Sequence, residues 1–86
     1  MKFQGAVVKE QGITFAVVIV NSHVVNSPSE SNSVIQSFGT VFPGMPIVLM
    51  AQNIQGAPTY FGRSDIVKFL ANVHISQIPW KEFTVS

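Results

Sequence analysis

Apolar residues along this chain fall into two rhythms, one suited to strands and one to helices. Residues 3–8 and 13–20 are rich in β-branched and aromatic side chains, and the polar spacer Lys9-Glu10-Gln11-Gly12 separates them. Two such runs around a short polar spacer ending in glycine predict a β-hairpin. The second run is apolar on both of its alternating faces. Ile13, Phe15, Val17 and Ile19 lie on one face, and Thr14, Ala16, Val18 and Val20 on the other. A strand with one wet face alternates instead. This strand is therefore expected to be central and covered on both sides, by the chain's own helices or by a partner.

Residues 21–26 read as a loop, and Ser27-Pro28-Ser29-Glu30 follows. A serine at the cap, proline at the first helical position and glutamate three residues after the cap predict a helix start. Val34, Ile35 and Phe38 form that helix's apolar stripe, and Gly39 is its expected left-handed stop. Residues 40–46, with Pro43-Gly44 and Pro46, form a connector. Residues 47–52 are a third strand, Asn53-Ile54-Gln55-Gly56 a turn and residues 57–62 a fourth strand. Pro58 cannot donate to a ladder and assigns that strand to an edge. Ser64 is expected to cap a second helix with Asp65 in its first turn, and Ile66, Val67, Leu70 and Val73 supply the apolar stripe. Pro79 stops the helical pattern before Trp80, and Phe83-Thr84-Val85 offers a short C-terminal strand. The pattern predicts one α+β domain over residues 1–86, in the order ββα-ββα. Its leading architecture is a four-stranded, mainly antiparallel sheet with two helices on one face.

Charge changes this picture. Hydrophobic residues make up an ordinary 47%, but charged residues only 10%, against roughly 25% in a typical domain. The surface is either neutral and polar or partly covered by another chain. The five cations are scattered, which disfavours nucleic acid, because phosphate binding needs them clustered. With no cysteine and two histidines, a thiolate metal site and a disulfide framework are excluded, and no cofactor is expected. The start Met1-Lys2-Phe3-Gln4-Gly5 lacks the apolar core of a secretory signal, and no run approaches the ~20 apolar residues of a membrane helix. A cytoplasmic location, away from membranes, is expected.

Candidate chemistry is sparse. Arg63 and Ser64, at the start of the second helix, could hold a small anion with the free N–H groups there, although Asp65 places a negative charge in the same turn. His23 is a candidate base with no carboxylate beside it in sequence, and His74 is expected to meet the last carbonyls of the second helix. Tyr60 and Trp80, with Phe61 and Phe83, could line an aromatic pocket or simply close a small core. No catalytic residue is assigned, because the four carboxylates form no pair and the serines sit in no nucleophile elbow. The leading expectation is a non-enzymatic interaction module acting as a homodimer. The alternative is a domain binding a small anion or nucleotide-type ligand at the second helix's N-terminus.

Overall fold

The computed structural model describes residues 2–10, 12–53 and 55–85. The chain runs β1 (Lys2–Glu10), β2 (Ile13–Ile19), α1 (Ser22–Val25), α2 (Pro28–Phe38), β3 (Ile47–Gln52), β4 (Pro58–Phe61), α3 (Ser64–Ala71), a single 3-10 turn (Ile75–Gln77) and β5 (Lys81–Thr84). Among the described residues these strands form one five-stranded mixed sheet in the order β4-β3-β2-β1-β5. The α+β class and the ββα-ββα order hold, and the C-terminal segment does add a strand. β1 pairs antiparallel with β2 and β5, and β3 with β4, whereas β2 and β3 run parallel. Pro58 opens the edge strand β4, as its missing donor requires.

The helices, however, do not share a face. α1 and α2 form the crossover that a parallel β2–β3 pair demands, and they cover the face carrying Ala16, Val18, Ile47 and Leu49. α3 follows the antiparallel β3–β4 pair and covers the opposite face, where Ile66 and Leu70 meet Ala6, Phe15, Val17, Val48 and Met50. The expectation of two helices on one face is corrected. β2 has two apolar faces because the same chain builds a layer on each. Val17 and Val18, consecutive residues pointing to opposite sides, are both 0% exposed.

Each layer closes with aromatic rings. On the α2 side Phe3 stacks on Phe83 at 5.1 Å and meets Phe38 edge-on at 4.7 Å, while Phe42 packs against Phe83 at 5.3 Å. On the α3 side Phe15 and Phe69 meet edge-on, and the half-buried Trp80 seals the end of the layer.

Several local expectations change in detail. Residues 22–25 form a short helix, α1, whose Val24 and Val25 pack into the α2-side core. Fully buried Ser31 ties α1 to α2, its hydroxyl donating to the Val24 carbonyl. Ser27 occupies the cap of α2 and Pro28 follows it, but the Ser27 side chain makes no capping bond. Gly39 ends α2 in a right-handed conformation (φ −59°), with the chain turning on through Phe42. Positive φ is found at Gly12 (77°) and Gly56 (83°), in the two turns that carry a Gln-Gly pair. Gln11 and Ile54 of those turns lie outside the described residues.

Candidate functional site

The N-terminus of α3 is the first place to look for an anion. Arg63, not Ser64, is the N-cap residue, and Ser64 begins the helix without a side-chain capping bond. Arg63 turns its guanidinium onto Asp65, with Nε–Oδ1 at 2.8 Å and Nη2–Oδ2 at 2.7 Å. This bidentate pair is exposed. Hydrogen bonding to Arg63 is the main cause holding the Asp65 carboxyl below its usual range, and the same pair raises the Arg63 guanidinium. The cation expected to grip a ligand already grips a carboxylate of its own helix.

His23 lies in α1 and meets a carboxylate that sequence spacing did not offer. Its Nε2 stands 3.8 Å from Oε2 of Glu30, both side chains being exposed. Glu30 thus faces His23 rather than reaching back to cap α2. At 3.8 Å the pair is too long for proton transfer, which needs about 2.6–3.2 Å. His74 caps the 3-10 turn, accepting from the Ser76 N–H at 3.2 Å and meeting Ser76 Oγ at 2.7 Å. It does not touch the end of α3 as expected. No group of three or more potential metal-ligating side chains gathers among the described residues.

The four aromatics read as one pocket are divided by the sheet. Phe61 and Phe83 pack on the α2 side, Tyr60 and Trp80 on the α3 side. Tyr60 sits beside Met50 across the β3–β4 ladder, and its buried hydroxyl has no hydrogen-bond partner. Burial pushes that hydroxyl's pKa upward. The Trp80 indole is held by a bond from Nε1 to the Ile75 carbonyl at 2.9 Å. It lines an open, shallow depression with Gln4, Ile19, Met50, Gln52, Ile75 and Ser76. These residues come from β1, β2, β3, the 3-10 turn and the link to β5, so only Trp80 stood out beforehand.

A second feature lies at the sheet edge. β1 pairs with β5 only over residues 2–5, yet continues against β2 as far as Glu10. Among the described residues, no strand lies beside the outer edge of residues 6–10. Among the described residues Val7, at 40%, is the more exposed of two large hydrophobic side chains left at the surface, the other being Ile19. A cleft of about 270 Å³ opens beside this edge between Val8, Leu70, Val73 and Ile78. No helix is long and apolar enough to cross a membrane among the described residues. No family model, curated protein or solved structure matches the chain.

Proposed function

We propose that the protein is a non-enzymatic, cytoplasmic interaction module that works as a homodimer, joined through the open outer edge of β1. The observation that carries this reading is the stretch of β1 beyond its last β5 partner, over residues 6–10. An unpaired edge presents main-chain donors and acceptors that a second strand can satisfy. The other margins of the sheet are less suited. β4 carries Pro58, which lacks a donor, and both β4 (Pro58–Phe61) and β5 (Lys81–Thr84) are only four residues long.

A second copy fits because an antiparallel edge is self-complementary about a two-fold axis. Centring the axis on Val8 places Val7 opposite Lys9 of the partner subunit, whose aliphatic stem can cover it. The low charge content agrees with a surface partly shared between copies. The original motive for a dimer, an uncovered face of β2, no longer applies, since both faces are covered within the chain. The anion-binding alternative has little left to stand on once Arg63 is committed to Asp65.

Replacing Val7 with Lys tests the proposal. The side chain is 40% exposed, so the protomer tolerates the change, while two like charges come to lie directly opposite in the dimer. Sedimentation velocity is expected to show a dimer for the wild type and a monomer of 9.4 kDa for Val7→Lys. A wild type that sediments as a monomer at micromolar concentration rejects the reading.

A further inference from the structure

Pairing along the β1 edge covers too little surface to hold two copies together by itself. At about 3.4 Å per residue and roughly 10 Å of sheet depth, residues 6–10 bury on the order of 170 Å² on each copy. A stable dimer needs about 600–1,000 Å² a side. The remainder must come from a face of the molecule that adjoins the seam, and β1 has only two faces.

Those faces differ. Val7 and Lys9 alternate onto the same side as Phe3, the α2 side, and both are exposed. Val8 lies on the α3 side, where it is half-buried and packs into the core. The cleft beside it lays open the flank of that core: Phe69 and Leu70 near the end of α3, Val73 just beyond it, and Ile78. Leu70 and Ile78 are buried, whereas Val8, Phe69 and Val73 are partly open to water. Glu10 and Gln77, both exposed, stand at the rim. An apolar centre inside a polar rim is the anatomy of a protein interface.

We infer that this cleft is the second half of the homodimer interface, closed by the same cleft of a second copy. The inference rests on the β1 edge pairing and adds a layer to it. A two-fold axis at Val8 sets the two Val8 side chains side by side on the α3 face, since directly opposed residues share a face. The two clefts then meet across the seam, with Phe69 and Val73 of each copy flanking the paired valines. A second copy suits the cleft because the operation that pairs the edges brings matching apolar surface with it.

A sample mixing ¹³C-labelled and unlabelled copies tests this directly. Isotope-filtered NOEs between copies are expected at the Val8 methyls and also at the Val73 methyls. Val73→Glu, at a partly open position, places a charge in the seam and should weaken the dimer about tenfold or more in sedimentation equilibrium. Val73→Ser, a milder change, should weaken it in the same direction even if the glutamate variant folds poorly. Filtered NOEs at Val8 with none at Val73, or wild-type affinity in both folded variants, overturn the role of the cleft and leave the edge pairing in place. A wild type that stays monomeric overturns both.

Discussion

Val17 and Val18 are neighbours in sequence and lie on opposite faces of the sheet, each at 0% exposure. Truncating either to alanine should therefore cost the same kind of energy, although the two cavities open into different layers. Each change removes two buried carbon groups, worth about 0.8 kcal/mol apiece, and leaves a void that adds roughly another 1 kcal/mol. The expected loss is about 2–3 kcal/mol for each variant. For 86 residues a stability of about 4–13 kcal/mol is ordinary, so the loss is a large share of the whole. It corresponds to a fall in Tm of roughly 10–20 °C for a domain of this size. Urea and thermal unfolding followed by circular dichroism measure it, best in the Val7→Lys background so that subunit dissociation does not contribute. Val7→Ala, on the same hairpin but 40% exposed, should stay within about 0.5 kcal/mol. A one-sided sheet would spare one of the two buried valines. Should either Val17→Ala or Val18→Ala match the wild type, the covering of both faces by the chain's own helices is refuted.

Other parts of the structure yield predictions of their own. Ser31→Ala removes a buried donor from the Val24 carbonyl, which keeps the Ser27 N–H, and should cost about 0.5–1.5 kcal/mol; hydrogen exchange should speed up in α1 before the sheet, and uniform exchange would contradict the tie. Gly5→Ala places a Cβ 2.8 Å from the Val17 carbonyl oxygen and should cost about 1–3 kcal/mol by overpacking, so an unchanged urea midpoint would argue against this close strand approach. Asp65 has its carboxyl pKa lowered chiefly by its hydrogen bond to Arg63. The pair's contribution is thus present above the unfolded carboxyl pKa and is lost as pH falls through the lower folded value. Arg63→Gln should move the Asp65 titration upward, followed by carboxyl ¹³C shifts, and an unmoved titration would mean that the ion pair does not form in solution.

Much of the architecture was legible because it is local. The β-branched runs located β1, β2 and β3, Pro28 marked where α2 begins, and Pro58 marked an edge. The distribution of helices between faces was not legible. It depends on β2 choosing β3 as a parallel neighbour, a pairing that skips the whole α1–α2 segment. An all-apolar strand such as β2 asks for cover on both sides without saying what supplies it. The capping signals show the same limit at short range. Ser27 and Pro28 sit where expected, yet Glu30 faces His23 across from α1, an element hidden in a stretch that reads as loop.

Among candidate residues, Arg63 and Asp65 lie two apart, so their pairing follows from proximity and leaves the α3 terminus self-neutralised. Trp80 was legible as a large ring that must cover something. Gln4, Ile19 and Gln52 were not, because they are gathered by strand register and carry no motif. The open edge of β1 is likewise a consequence of where β5 stops pairing, at Gly5, and of nothing in residues 6–10 themselves.

The dimer is the point on which the functional account rests, and hydrogen exchange across its assembly equilibrium tests it most directly. The amides of residues 6–10 that face away from β2 should exchange slowly in the wild type at high micromolar concentration. They should become fast on dilution or in Val7→Lys, while amides of β2 and β3 keep their protection. Exchange at those edge amides that is fast at every concentration would contradict the account.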